Sequence, residues 1–309
     1  MAEGTASVTD ERAGYSDADP VAVRCTAPDA LSNLVAVLEL AADGHLRCSA
    51  VTRRPSATTT RLVEDALVAG DYYDAGEPIA AFAWPLLVQI GGLAQFAGAQ
   101  LELTARGRRV LAGPSYEALG ALWARWLKSV SFDELTRIEA IKGQRKTATL
   151  TAPGKRRAAV ATGLAALEPG AWTGADELLA ILADQQPPLV VARSLMALWR
   201  LYLIDSYHGT LGHAGRQAWD IVEGRYALCV LFEYAATIGL IDVAYADPRG
   251  ARDDFRGLWG GDRYACLSRY DGLVAVRVNE LGAAILHDPA ALPGLGLPVP
   301  RHHESQSYC

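Results

Sequence analysis

Two distant stretches of the chain share one spacing of apolar and polar residues. The first reads LELTARGRRVL over residues 101–111, and the second reads VRVNELGAAIL over residues 276–286. Apolar residues two positions apart predict a strand with one buried face. Thr104 and Asn279 follow these strands, and their side-chain oxygens suit the N-cap of a helix. Each stretch also follows an apolar, helix-like segment that ends in Ile-Gly-Gly-Leu or Ile-Gly-Leu.

The shared spacing predicts a duplicated unit, in which a helix, a hairpin and a short closing helix occur twice. Gly107 and Gly282 fall at the same place in the two patterns. We therefore expect them at equivalent positions of the two closing helices. Asn279 is expected to cap a helix that begins near Glu280.

The first unit is predicted over residues 28–141, and it includes two helices that trail the closing helix. Asp29 and Ser56 are expected to cap its first two helices, and Pro85 suits the first turn of its third. The predicted elements are a helix over 30–42, a strand over 45–48, a helix after Ser56, a third helix over 84–90, the hairpin with its closing helix, a helix after residue 114 and a helix from Asp133.

The second unit is predicted over residues 158–287. Its expected helices span 158–167, 176–182 and 225–238. Two segments, 187–223 and 247–270, are read as insertions that interrupt the unit. The first of them contains the glycine-rich loop HGTLGH over residues 208–213.

Three further segments have a distinct composition. Residues 142–157 read KGQRKTATLTAPGKRR and contain no acidic residue, which predicts a basic linker between the two units. Residues 1–27 are polar and acidic, without a basic start before an apolar core, and are expected to be a disordered tail. Residues 288–309 are rich in proline and glycine and are expected to be a second disordered tail.

The predicted fold class is mainly α with small β-hairpins, as two winged-helix-like units joined by a basic linker. Residues 44–49 and 54–58 resemble winged-helix segments fused to bacterial helicases of the XPB/Ssl2-like type. Residues 238–245 and 267–273 resemble stretches of actinobacterial proteins of this kind. The resemblance implies a fold rather than an activity. Because the chain has no G-x-x-x-x-G-K-[ST] loop, an associated helicase or ATPase would have to be a partner chain.

The formal net charge of −6, from 29 basic and 35 acidic residues, does not favour nucleic-acid binding over the whole surface. The basic residues are nevertheless concentrated in places, and lysine and arginine at such density can neutralise phosphates without reading sequence. The linker could equally be a solvated spacer between acidic domains. The candidate phosphate contacts are Arg53, Arg54, Arg61, Arg106, Arg108, Arg109, Lys142, Arg145, Lys146, Lys155, Arg156 and Arg157.

The third helix of each unit lacks base-reading side chains. In winged-helix proteins this element enters the major groove with Arg, Lys, Asn or Gln on its exposed face. Here the first reads WPLLVQIGGLAQ from residue 84, and the second reads EGRYALCVLFEYAATI from residue 223. Both patterns indicate core or interface helices, and they make a homodimer plausible.

No pattern predicts a catalytic site, a metal site or a cofactor. The five cysteines form no C-x-x-C pair, and their odd number fits a reducing cytoplasm. Asp205, Tyr207 and His208 are expected to order a loop through hydrogen bonds. The Asp253-Asp254 pair is expected to form a solvated salt-bridge surface with neighbouring arginines. The apolar run 187–204 is too short and too charged to span a membrane.

The leading prediction is a non-enzymatic, cytoplasmic accessory protein that acts on or near double-stranded DNA, alongside a helicase, an ATPase or another protein. Phosphates would be bound by the linker and the first unit. Because the linker is expected to bury little surface, replacing Arg156 and Arg157 is expected to leave folding unaffected. The alternative is a protein-interaction module, either an adaptor or a dimerising scaffold without nucleic-acid binding. A transcription regulator ranks third.

Overall fold

A computed structural model describes residues 21–73, 76–144 and 150–297 of the chain. Residues 1–20 and 298–309 of the predicted tails lie outside the described residues, as do Arg145 and Lys146 of the predicted linker. The described chain is mostly helical, with one small hairpin and one four-stranded antiparallel sheet. The predicted class, mainly α with small β-hairpins, is confirmed.

The first unit has the predicted order of helices and hairpin. A short 3₁₀ turn, Glu134–Arg137, takes the place of the expected last helix. The elements are β1 (Ala22–Arg24), α1 (Ala27–Ala42), α2 (Ala57–Ala66), α3 (Ala80–Ile90), β2 (Ala94–Ala97), β3 (Gln100–Leu103), α4 (Ala105–Ala112) and α5 (Tyr116–Lys128).

The second unit repeats this order around a longer third helix. That helix, named α9, runs without interruption over 217–238 and includes two π-helical segments, Asp220–Gly224 and Val230–Ala235. The other elements are α6 (Pro153–Ala165), β4 (Trp172–Gly174), α7 (Ala175–Asp184), α8 (Leu195–Leu198), β5 (Ile241–Tyr245), β6 (Leu273–Val278) and α10 (Glu280–His287), with 3₁₀ turns at Leu211–His213, Gly261–Arg263, Arg269–Gly272 and Pro289–Gly294.

The two hairpins pair in the same register. Ala94 lies opposite Leu103 in the first unit, and Ile241 lies opposite Val278 in the second. In the second unit β4 adds to β6, and β1 adds to the free edge of β5, which gives the order β1-β5-β6-β4. The chain segment that precedes the first unit therefore completes the sheet of the second.

The predicted equivalence of Gly107 and Gly282 is confirmed. The amide of Gly107 donates to Thr104 Oγ1 at 3.0 Å, and the amide of Gly282 donates to Asn279 Oδ1 at 3.0 Å. Both closing helices, α4 and α10, are therefore N-capped as expected, and Asn279 caps the helix that begins at Glu280. A Cβ atom at Gly107 would lie 2.0 Å from the carbonyl oxygen of Leu93, and one at Gly282 would lie 1.9 Å from that of Leu240.

The turns that lead into the hairpins are equivalent too. Gly92 and Gly239 have positive φ angles of 68° and 91°. The next amide in each case reaches five residues back, from Leu93 to Val88 and from Leu240 to Ala235, at 2.9 Å. This is the left-handed glycine C-cap of a helix, which explains the Ile-Gly pattern in physical terms.

Several predicted boundaries are corrected by the structure. Residues 22–24 of the expected first tail form β1, because their backbone completes the edge of β5. The N-cap of α1 is Thr26 rather than Asp29, and its hydroxyl donates to the carbonyl of Ile241 at 2.7 Å.

The expected linker 142–157 ends early, since α6 begins at Pro153. The strand expected at 45–48 is reduced to isolated bridges, and α3 begins at Ala80, so that Pro85 lies inside it.

Both third helices lie inside the molecule. Every residue of α3 from Ala80 to Gln89 is buried, and every residue from Ile221 to Leu240 is buried. The two helices pack against each other, and α1 also contacts the end of α9. The two units therefore share one hydrophobic core. None of the helices in the described ranges is long and apolar enough to cross a membrane.

We predict that Gly282→Ala destabilises the protein by about 1–3 kcal/mol or more, because the new methyl group overlaps the backbone of Leu240. Gly174→Ala is the matched control, since a Cβ there has no atom within 4 Å. Chemical denaturation of both variants measures the difference. Equal midpoints for the two variants would contradict the close approach of α10 to the turn before β5.

Candidate functional site

The twelve basic residues predicted to bind phosphate do not form one surface. Two lie outside the described residues, two are buried, and the others are spread over both units. The guanidinium of Arg54 already has hydrogen-bond partners inside the protein, since its Nη2 donates to the carbonyl and hydroxyl of Thr136 at 2.8 Å. Arg108 donates to the carbonyl of Leu103 at 2.9 Å. The exposed members are Arg61, Arg108, Arg109, Lys142 and Lys155, and the half-buried ones include Arg53 and Arg106.

The expectation that Arg156 and Arg157 contact phosphates is wrong. Both lie in the first turns of α6, and the side chain of each is 0% exposed. Arg156 pairs with Asp133 at 2.6 Å, and Arg157 pairs with Glu134 at 2.6 Å. Two adjacent arginines thus meet two adjacent acids from the segment that follows α5. We therefore expect replacement of these arginines to destabilise the fold, contrary to the prediction made for a solvated linker.

Further contacts satisfy the buried Arg157–Glu134 pair. The guanidinium of Arg157 also donates to the carbonyls of Ser129 and Phe132 at 2.7 and 2.8 Å, and the hydroxyl of Tyr226 donates to Glu134 at 3.1 Å. Burial raises the pKa of Glu134, and the nearby Arg157 guanidinium opposes that rise. Burial acts to lower the pKa of Arg157, but the Glu134 carboxylate more than offsets it. A buried ion pair of this kind depends on such additional hydrogen bonds.

A second buried ion pair joins the first unit to the third helix of the second. The Nε and Nη2 atoms of Arg137 lie 2.8 to 3.0 Å from the carboxylate of Glu233. Arg137 also donates to the carbonyl of Pro78 at 2.7 Å, and Tyr270 donates its hydroxyl to Glu233. Burial acts to lower the pKa of Arg137, but Glu233 raises it well above its ordinary value. The acid of the third helix is used inside the molecule.

Two other charged residues of α9, Glu223 and Arg225, bind the insertions. Glu223 accepts the amides of Val191 and Ala192 at 2.9 and 3.2 Å, and burial raises its pKa to about 6. Arg225 pairs with Asp271 and Asp254. Asp254 therefore binds a buried arginine, which corrects the expected solvated salt-bridge surface at this residue. The charges of Glu223, Arg225 and Glu233 are therefore used inside the molecule, whereas Asp220 near the start of α9 is exposed.

Three arginines converge on the first unit beside the turn between α3 and β2. We name Arg106, Arg109 and Arg125 the arginine cluster. Arg106 and Arg109 lie one turn apart on α4, and Arg125 comes from α5. A Cβ atom at Gly92 would lie 3.2 Å from Arg125 Nη1, which places this guanidinium at the turn that the closing helix also contacts.

The charges of the arginine cluster repel one another. Partial burial lowers the pKa of Arg106, and the positive charges of Arg125 and Arg109 lower it further. Among the ion pairs of the described residues, none joins a member of the cluster to a carboxylate. The sequence pointed to Arg106 and Arg109. It missed Arg125, which joins them only through the packing of α5 beside α3.

The loop with Asp205, Tyr207 and His208 is ordered by hydrogen bonds, as predicted. Asp205 Oδ1 accepts the amides of Tyr207 and His208 at 2.8 and 2.9 Å. These bonds lower the pKa of Asp205. Within residues 21–73, 76–144 and 150–297, no group of three or more His, Cys, Asp or Glu side chains is placed to hold a metal ion.

A scan against protein-family models and searches of curated proteins and of solved structures found no match to this chain. Its function is therefore inferred from the side chains and their geometry.

We predict that Arg157→Ala lowers the free energy of unfolding by about 3–5 kcal/mol, because it leaves the Glu134 carboxylate buried without a cation. Lys155→Ala is the matched control: it removes a positive charge two residues away on the same helix, from an exposed position, and is expected to change stability by at most about 0.5 kcal/mol. Urea denaturation compares them. If the two variants unfold at the same urea concentration, Arg157 is not in the interior.

Proposed function

We propose that this protein is a non-enzymatic accessory protein that contacts the phosphate backbone of double-stranded DNA without reading its sequence. The observation that carries the proposal is the arginine cluster. Arg106, Arg109 and Arg125 come from two helices and lie near enough for the charges of Arg125 and Arg109 to lower the pKa of Arg106, and none of the three has a paired carboxylate among the described ion pairs. Folding does not account for such mutual repulsion, whereas an anionic ligand would relieve it.

Guanidinium groups suit this role chemically. Arginine stays protonated and presents a planar fork of donors, which matches two oxygens of one phosphate. Contacts of this kind fix the position of a protein on a duplex but carry no sequence information. The proposed binding is therefore weak in specificity and strongly dependent on salt.

The burial of α3 and α9 supports a mode that uses the backbone only. A helix that reads bases must place its side chains in the major groove. The side chains of both third helices are instead packed in the shared core. This burial disfavours the transcription-regulator alternative, because a sequence-specific regulator needs an exposed helix that reads bases. An ATP-driven step, if DNA is remodelled, belongs to a partner chain, since this sequence has no P-loop.

A protein-interaction module is the second candidate, and one observation favours it. Leu195 and Met196, on α8, are 64% and 69% exposed, and the ring of Trp199 follows them. Exposed Met and Trp side chains are typical of protein interfaces. This candidate predicts binding to a protein, either a partner or a second copy of the chain, that Met196→Asp abolishes.

We expect duplex affinity to fall with salt at a log–log slope of about −3, which is about −0.9 for each of three contacts. Replacing Arg106, Arg109 or Arg125 with Ala should flatten the slope by about one unit each and weaken binding to unrelated duplexes alike. Fluorescence anisotropy with labelled duplexes over a salt series measures both quantities. Arg47→Ala is the control, an exposed arginine of the same unit outside the cluster.

A triple variant of the cluster with the parental slope and affinity would move any DNA contact elsewhere. No duplex binding at low salt, together with a protein partner lost in Met196→Asp, would instead support the interaction module.

A further inference from the structure

A narrow cleft reaches into the shared core where α1, α3 and α9 meet. We name it the core cleft. Its volume is about 20 Å³, and its wall includes Arg24, Asp29, Asn33, Trp84 and Thr237. The helices α1 and α3 contact each other, and both contact the last turn of α9. The core cleft therefore lies at a point where the two units join.

Two buried polar groups in the wall of the core cleft have no hydrogen-bond partner among the atoms of the described residues. They are the indole nitrogen of Trp84, from α3, and the hydroxyl of Thr237, from α9. Trp84 is 0% exposed and Thr237 is 4% exposed. Buried polar groups in native proteins are nearly always hydrogen-bonded, because an unpaired group keeps the full cost of its desolvation. Each unit thus contributes one group that needs a partner in the same cleft.

The polar groups beside them already bind elsewhere in the protein. The hydroxyl of Thr26 donates to the carbonyl of Ile241 at 2.7 Å. The guanidinium of Arg24 donates to the carbonyls of Ala69 and Gly70 at 3.0 and 2.9 Å. These bonds tie the start of α1 to the sheet, and β1 to the loop after α2. A partner for the indole and the hydroxyl must therefore come from a molecule that enters the cleft.

The size of the core cleft limits the ligand to a very small molecule. Its volume of about 20 Å³ exceeds the roughly 10–15 Å³ that one water molecule needs. Such a volume is too small for a nucleotide, a sugar or an amino acid. The core cleft can therefore take a water molecule or a small ion.

The chemistry of the wall selects water over an ion. The indole N–H of Trp84 can only donate, which disfavours a cation. The Asp29 carboxylate in the same wall disfavours an anion. Water accepts from the indole, and it can either donate to or accept from the hydroxyl of Thr237. Asp29 and Asn33, both half-buried, offer further partners, and a buried water typically makes about three hydrogen bonds.

We infer that the core cleft binds one ordered water molecule, which accepts a hydrogen bond from the indole N–H of Trp84 and bonds to the hydroxyl of Thr237. The water bridges α3 of the first unit and α9 of the second. A bridging water of this kind is nearly as favourable in enthalpy as a direct hydrogen bond. Beside the Arg137–Glu233 pair, it gives the two third helices a second polar link within an apolar core. Water binding here is independent of any contact with DNA.

Nuclear magnetic resonance of the full chain, labelled with ¹⁵N, detects such a water directly. Trp84→Phe identifies the indole signal of Trp84 among those of the seven tryptophans. We expect a cross-peak between water and the Trp84 indole proton, with opposite signs in the NOESY and ROESY spectra. Opposite signs indicate a bound water, whereas hydrogen exchange with bulk solvent gives the same sign in both spectra.

Variants of Thr237 test the bridge to α9. Thr237→Val removes the hydroxyl but keeps the shape of the side chain, and we expect it to abolish the cross-peak, because the water loses one of its partners. Thr237→Ser keeps the hydroxyl and should keep the cross-peak. Thr162→Val is the matched control, since Thr162 is an exposed threonine of α6 outside the cleft. Unfolding midpoints show whether each variant is folded.

A cross-peak of opposite sign in the parent and in Thr237→Ser, lost in Thr237→Val, supports the water site. No cross-peak in the parent overturns it. A cross-peak of the same sign in both spectra also overturns it, because the indole then exchanges with bulk solvent. A cross-peak that survives in Thr237→Val overturns the bridge to α9. If Thr237→Val does not fold, the spectra of the parent and of Thr237→Ser decide.

Discussion

The ion pair between Arg137 and Glu233 fixes the relative placement of the two units. Glu233 lies fully buried in α9, so its charge requires a cation and further donors in the interior. Arg137 supplies the cation from the segment after α5, and Tyr270 supplies a hydroxyl. Because Arg137 also binds the carbonyl of Pro78 before α3, the pair links both third helices. Loss of either partner would leave a buried charge unpaired.

The same constraint shapes α9 itself. Its two π-helical segments each contain one buried glutamate, Glu223 in the first and Glu233 in the second. A π-helical segment shifts the register of the side chains that follow it. One acid thereby reaches the amides of the first insertion, and the other reaches Arg137. The third helix of the second unit is thus a central core helix.

The candidate functional side chains consequently lie away from the third helices. With α3 and α9 buried against each other, the faces left for ligands are the closing helix, α5 and the insertions. The arginine cluster lies on the closing helix and α5. The proposed function assigns nucleic-acid contact to a part of the chain that the buried helices leave accessible.

Local patterns predicted the local structure of this protein well. The caps formed by Thr104 and Asn279 follow from residue type and spacing, and so do the glycines of the two closing helices. Their signal lies within a few residues, where sequence spacing and spatial distance agree. The order of helices and hairpins was therefore predictable, and the exceptions are β1, the weak strand near Arg47, the helix expected from Asp133 and the exact helix starts.

Long-range pairing was not predictable in the same way. Arg156 and Arg157 resembled a solvated charge run, because their partners Asp133 and Glu134 lie 23 residues earlier in the chain. An adjacent acid pair and an adjacent arginine pair are complementary in retrospect, but nothing local indicates burial. Arg125 likewise acquires its arginine neighbours only through the packing of α5 beside α3.

Because α3 and α9 pack against each other, they are expected to form one cooperative core shared by both units. Native-state hydrogen exchange measures it most directly, because it gives the free energy at which each amide becomes exposed. The amides of α3 and α9 are expected to exchange only by global unfolding, with one common free energy and one denaturant dependence. Exchange of the α9 amides through an opening that leaves α3 protected would show that the units unfold separately, and would contradict a cooperative core shared by both units.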